Sequence, residues 1–167
     1  MKTKHITKSL FTLFLLSAVI FTAHSKIYSV EEGKKIKNFT LQNIYGKKIK
    51  LSDAYKKKVV LLSFWASWCP SCREEVSILN GLYKKFKKQG LEIYGINYAE
   101  AKKKVVTSKN DLGISYPVLM DSDGRVAENY ELIGIPAVIL IDKKGIVRFF
   151  NVVPPDEKDI EKLLKKS

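Results

Sequence analysis

Apolar and polar positions alternate along this chain in a way that predicts short strands and helices in regular succession. Residues 59–64 form a continuous apolar run rich in Val and Leu, as does 137–141. Such runs suit strands covered on both faces. Across 72–88, Val76, Leu79, Tyr83 and Phe86 recur at three- and four-residue steps, which predicts a helix stopped by Gly90. Residues 91–97 predict the next strand, and 101–112 a second helix with a weak apolar face and a Lys-rich polar one. A short strand at 116–120, a turn at 121–124 and one or two helical turns at 127–132 follow. Ahead of these, 38–51 predicts two short strands around a turn at Tyr45-Gly46, with Ser52-Asp53 placed to cap a brief helical turn. Behind them, a turn at 142–145 returns 146–151 as a hairpin strand. Pro154-Pro155 then breaks the chain before a closing helix at 156–166, acidic at its start and Lys-rich at its end, as its dipole prefers. This order predicts an α/β sandwich on a mixed central sheet, with right-handed parallel crossovers.

The N-terminus stands apart from that pattern. Lys2, Lys4 and Lys8 precede an apolar run of 14 residues, 10–23. A membrane span needs about 20 residues, whereas an export signal's h-region needs fewer. Ala23 and Ser25 put small residues where a signal peptidase inspects the chain, so cleavage is expected after Ser25. An uncleaved anchor on the same run is the other reading. Either places the folded part outside the cytoplasm. The expected organisation is a leader at 1–25, a short segment at 26–37 and one domain at 38–167.

Composition narrows the function classes. With 46% hydrophobic residues the chain can fill a core but not thread a membrane many times. The net charge of +13 comes mostly from Lys residues dispersed in pairs, with no Arg or aromatic side chains interleaved to read bases. This favours solvated faces over a nucleic-acid surface. Attraction to an anionic membrane surface is a second reading of the same charge.

The chemistry centres on Cys69-Pro70-Ser71-Cys72, placed between the buried strand and the helix it opens. Free N–H groups and the dipole at a helix start favour an anion, here the Cys69 thiolate. The thiolate is the species that attacks disulfides. Cys72, one turn further in and expected to be more buried, is the natural resolving thiol for a mixed disulfide on Cys69. A structural disulfide closing so short a loop would gain little chain entropy. A zinc site would need four ligands, and cleavage after Ser25 would remove both histidines, His5 and His24, leaving two Cys. No metal is therefore expected, and no cofactor beyond the redox-active disulfide. Pro136, at the head of a buried strand, suits a cis bond after Ile135. Such a bond would turn the Ile135 backbone toward the cysteines, where an extended substrate could pair with it.

Residues 64–75, Phe-Trp-Ala-Ser-Trp-Cys-Pro-Ser-Cys-Arg-Glu-Glu, resemble the signature of the TlpA/ResA branch of the thioredoxin superfamily. Phe39-Thr40-Leu41, Gly46 and Leu51-Ser52 resemble that branch's N-terminal hairpin. Gly134-Ile135-Pro136 with Leu140-Ile141-Asp142 and Gly145 resembles its later strand pair. The segment between Gly95 and Ile133 resembles its central helix–strand insertion. The resemblance implies a thioredoxin-like sandwich and an extracytoplasmic thiol–disulfide oxidoreductase, often membrane-tethered. It implies Cys69 as nucleophile, Cys72 as resolving thiol and Pro136 as cis-proline. The implied partners are exported proteins carrying disulfides, notably the haem-binding cysteines of apocytochrome c, and a membrane carrier that returns electrons. Many thioredoxins carry a buried Asp six residues before the first Cys, and here that residue is Ser63. A Glu after the next strand serves near the site in such relatives, which points to Glu100 as a base. Trp68 is expected on the docking surface, with Pro70 and Ser71, and Trp65 in the core. Arg73 and Glu74 are expected in solvent.

One Cys pair can run in either direction, so a disulfide-forming oxidase or isomerase stands beside the reductase. A metal-delivery module on the same fold would want a His beside the cysteines. A redox-inactive scaffold would be indifferent to Cys69. A peroxidase would place its reactive Cys differently.

Overall fold

The computed structural model describes residues 30–166, so the leader expected at 1–25 lies outside the described residues. The elements follow in the expected order: strands β1 (Thr40–Asn43) and β2 (Lys48–Lys50), helix α1 (Leu51–Tyr55), β3 (Val59–Trp65), α2 (Pro70–Phe86), β4 (Leu91–Tyr98), α3 (Lys102–Asp111), β5 (Val118–Asp121), α4 (Arg125–Asn129), β6 (Ala137–Ile141), β7 (Val147–Asn151) and α5 (Glu157–Lys165). They make a seven-stranded sheet in the order β2-β1-β5-β4-β3-β6-β7. Strands β3, β4 and β5 are parallel, while β6, β7 and β1 run against their neighbours, so the sheet is mixed.

The sheet is covered on both faces, and β3 shows why its sequence is apolar throughout. Val59 and Leu61 pack with Val76, Leu79 and Phe86 of α2, Val105 of α3 and Ile160 of α5. Val60, Leu62 and Phe64 point the other way, toward Leu51 and Tyr55 of α1, Val126 of α4, and Tyr130. Every β3 residue is buried. Burial of this kind, at roughly 25 cal/mol per Å2 of apolar surface, is the main force holding such a sandwich together.

Three details differ from expectation. Ser52 and Asp53 do not cap α1; they lie inside it, and its N-cap is Lys50 with no side-chain bond. The orphan N–H groups are served from outside instead. Ser52 N donates to Asn38 Oδ1 at 2.8 Å and Leu51 N to the Phe39 carbonyl. The helical turns expected at 127–132 begin earlier, at Arg125, because the Asp121 carboxylate accepts from Val126 N and Ala127 N and so sets the helix start. The strand expected at 116–120 begins at Val118, since Pro117 offers no N–H for a ladder.

Candidate active site

The site lies where the parallel strands end. Strand β3 delivers the loop Ala66-Ser67-Trp68 to the start of α2, and β6 runs antiparallel beside it, with Ala137 opposite Phe64. Pro136 and Ile135 therefore come next to the cysteines, and the Ile135–Pro136 bond is cis, as the sequence suggested. Cys69 and Cys72 are joined in a disulfide with their Cα atoms 5.4 Å apart.

Cys69 is the N-cap of α2. Its backbone is extended (φ −88°, ψ 110°), which turns the sulfur back over the helix start. There Sγ accepts from Cys72 N at 3.2 Å and stands 3.8 Å from the Ile135 carbonyl. Pro70 at the first helical position has no N–H and a fixed φ, so it suits that place. This geometry also corrects one expectation. Cys72 is not more buried than Cys69; each is 4% exposed, because the N-cap conformation tucks Cys69 under the helix tip. Trp68 is 60% exposed beside it, Pro70 and Ser71 are exposed, and Trp65 is in the core. Arg73 and Glu74 face solvent as expected. Ser63 is buried and alternates with Leu61 and Trp65, so it lies on the sheet face that α2 covers, with no carboxylate to offer.

Two further residues of the site lie within the 64–75 signature stretch, which by itself gives them no role. The first is Glu75, three residues beyond Cys72 and so on the same helix face. It is buried, and its Oε2 has no hydrogen-bond partner. Loss of water pushes its carboxyl up to about 7. Its charge also adds to the burial that raises the Tyr116 phenol. The periodicity Cys72, Glu75, Leu79, Leu82, Phe86 marks it as an inward position, although a charged residue is an unusual occupant.

The second is Ser67. Its N–H donates to Glu100 Oε2 at 2.7 Å and its hydroxyl to Glu100 Oε1 at 2.6 Å. Asn97 Nδ2 and Lys104 Nζ also donate to that carboxylate. The turn that aims Glu100 at Ser67 is made by Ala99, in the left-handed region at φ 53°. Burial alone would raise the Glu100 carboxyl, but the bonds from Lys104, Ser67 and Asn97 outweigh it and hold the group at about 2. A carboxylate so firmly ionised has little affinity for a proton at neutral pH. Its placement makes it an anchor for the loop before Cys69.

A groove of about 510 Å3 opens beside the disulfide. Ser71, Glu75 and Pro136 line it, and Ile78, Val152 and Val153 give it apolar walls. Val152 and Val153 are more than half exposed, so the groove offers apolar surface to an incoming chain. Among the described residues no group of His, Cys, Asp and Glu is arranged to hold a metal ion.

Comparison with known proteins agrees with this geometry. The family model described as AhpC/TSA family matches residues 33–150. The chain is 36% identical to the thiol-disulfide oxidoreductase ResA of Bacillus subtilis over 139 residues, covering 81% of this chain and 77% of that protein. It is 34% identical to ResA of Bacillus cereus over 99% of this chain and 97% of that one. Among solved structures, a Chlorobium tepidum protein described as a thiol:disulfide interchange protein DsbE superposes with a TM-score of 0.75 at 30% identity, over 81% of this chain and 99% of that one. The thioredoxin domain of a Bacteroides vulgatus thiol-disulfide oxidoreductase superposes at 0.71 with 26% identity, over 83% and 98%. With its dithiol at a helix start on a thioredoxin-like sheet, the chain belongs to the AhpC/TSA family and is a thiol–disulfide oxidoreductase of the ResA and DsbE type.

Proposed function

We propose that this oxidoreductase is exported and works as a reductase of protein disulfides outside the cytoplasm, those of apocytochrome c included. The observation that supports it most is the groove beside the disulfide, where apolar walls meet a buried carboxyl of raised pKa. In the reduced protein the Cys69 thiolate attacks a substrate disulfide, one substrate sulfur leaves, and a mixed disulfide forms. Glu75 takes the Cys72 proton, which a carboxyl of pKa about 7 can do at neutral pH. The Cys72 sulfur then attacks Cys69 Sγ, the second substrate sulfur leaves as a thiolate, and the Cys69–Cys72 disulfide of this structure results. A thiol-reductant carrier in the membrane returns two electrons. Trp68, Pro70 and Ser71 present the docking surface, and the backbone at Ile135 and Pro136 aligns the substrate chain. The apolar run at 10–23 supports export, whether it is cleaved or kept as a tether.

A trapping experiment tests this reading. Cys72→Ser, expressed with its leader in a bacterial host, should accumulate a mixed disulfide through Cys69 with an extracytoplasmic protein, named by mass spectrometry. A Cys69–Cys72 potential well above that of glutathione would move the assignment to the oxidase, and failure to form any adduct would end both readings.

A further inference from the structure

Five of the lysine groups that lie scattered along the sequence converge on one end of the molecule, opposite the disulfide. Contacts between the connecting segments establish this. Val59 N donates to the Gly90 carbonyl, which joins the segment holding Lys56, Lys57 and Lys58 to the one holding Lys87 and Lys88. A Cβ on Gly90 would touch Leu164, so the end of α5, with Lys165 and Lys166, lies there too. Gly145 packs on Tyr55 of α1, which brings in the turn with Lys143 and Lys144. Ile36 N donates to the Gly145 carbonyl and Val147 N to the Lys34 carbonyl, which adds Lys34 and Lys35. Five separate stretches thus present their cations at the N-terminal ends of β3 and β4.

Acids lie there too, Glu32 and Asp159 among them, but the cations outnumber them. Glu92 is bonded to Lys58 at 2.7 Å and to the Tyr83 hydroxyl, and Asp142 is buried and bonded to Arg148. Between the β6–β7 turn and α5 lies a concavity of about 760 Å3 whose charged lining is five cations, Lys144, Lys162 and Lys166 among them, against Glu32, Asp142 and Asp159. Around the disulfide the charges are mixed: Glu74, Glu75, Glu100 and Asp156 lie among Arg73, Lys102, Lys103 and Lys104. The molecule is therefore uneven along its parallel strands, with a cationic base about 20 Å, one β3 length, below a dithiol end of mixed charge.

We propose that the cationic end docks on an anionic phospholipid bilayer and turns the dithiol away from it. Lys is a compact, strongly hydrated point charge, suited to diffuse attraction toward headgroups rather than to bidentate recognition. Arg148, which could offer such recognition here, is occupied by Asp142. No aromatic side chain is interleaved with these lysines to stack on bases, which favours lipid phosphate over single-stranded nucleic acid. The attraction acts within a Debye length, about 8–10 Å, so it is weak, salt-sensitive and reversible.

Amide exchange on the full chain tests the inference, using phosphatidylcholine vesicles with and without phosphatidylglycerol. Peptides covering 56–58, 87–90 and 142–146 should exchange more slowly only with the anionic lipid and only at low salt, with those covering 67–74 and 133–136 unchanged. Lys56→Gln with Lys57→Gln should weaken that binding about thirtyfold, while Lys102→Gln with Lys103→Gln, an equal loss of charge at the opposite end, should leave it. Equal effects of the two pairs, protection at the dithiol end, or no difference between the lipids would overturn the proposal. So would release from the vesicles by duplex DNA at matched phosphate. None of these outcomes bears on the direction of the thiol chemistry.

Discussion

Ser67 and Glu100 are 33 residues apart, yet one carboxylate takes both the backbone N–H and the hydroxyl of the serine two residues before Cys69. Strand β3 ends in the loop that carries the cysteine, and β4 ends in the loop that carries the anchor. Their parallel pairing brings the two together. The dithiol is thereby held from behind by a neighbouring strand as well as by its own helix.

Glu100→Gln should weaken this anchor. The amide keeps one acceptor but presents an N–H2 group to donors. A loss of about 2 kcal/mol is expected, the range for hydrogen bonds to a charged group. The folded-state pKa of about 2 lies below the ordinary 4.5, so the carboxylate's stabilisation is present above pH 4.5 and disappears as pH falls through 2. Denaturant titrations at pH 7 and pH 3 check this: the variant should be less stable at pH 7 and nearer to wild type at pH 3.

Glu75→Gln should act in the opposite direction. Its folded-state value of about 7 lies above 4.5, so its favourable contribution is complete below pH 4.5 and is lost as pH rises through 7. The oxidised wild type should therefore lose stability between pH 5 and 8, by up to roughly 3 kcal/mol. The Gln variant should lose none of that and be the more stable protein at pH 8. Its thiol-exchange rate should fall and lose the inflection near pH 7. An unchanged pH–rate profile would remove Glu75 from the proton transfer.

How far the sequence revealed this site depended on whether a residue's partner lay nearby in the chain. The buried strands β3 and β6, helix α2 and the cysteine pair were legible because their patterns are local: unbroken apolar runs, a 3.6-residue period and a four-residue motif. The cis bond before Pro136 was expected only from the context of the fold. Glu75 closes the 64–75 signature, but the motif does not tell that it is buried: Arg73 and Glu74 beside it face solvent, and the helix register alone turns Glu75 inward. The role of Ser67 was hidden because its partner belongs to another strand. Glu100 was picked out, but its surroundings, four donors around one carboxylate, decide its protonation, and no spacing encodes them. The convergence of the five lysine groups is likewise a product of chain reversal.

Gly95 sits opposite Ser63 in the β3–β4 pair, and a Cβ there would lie 2.9 Å from Tyr116 Cε2 and 3.1 Å from Trp65 Nε1. Both rings are buried and Tyr116 also packs edge-on against Tyr83, so neither ring can easily move. Gly95→Ala should cost about 1–3 kcal/mol through overpacking. A thermal melt of the oxidised variant that matched wild type would mean that the rings have room to spare.

The attacking thiol offers the most direct measurement. In the disulfide form Cys72 N already points at Cys69 Sγ, and the start of α2 lies beneath it. Pro70 leaves the first helical position without an N–H, so the sulfur depends on Cys72 N–H and on the dipole of a helix of 17 residues. A negative sulfur at that place is favoured, so the reduced protein should ionise Cys69 below the ordinary cysteine value of about 8.5. The Cys72 thiol, on the buried face that it shares with Glu75, should ionise above it, because a carboxylate nearby disfavours a second anion. Thiolate absorbance of the reduced protein against pH should therefore show two separated steps. Cys72→Ser should keep the lower one, and Glu75→Gln should draw the upper one down. A single step near 8.5 in the wild type would mean that the helix start does nothing for the sulfur, and the division of labour between the two cysteines would have to be abandoned.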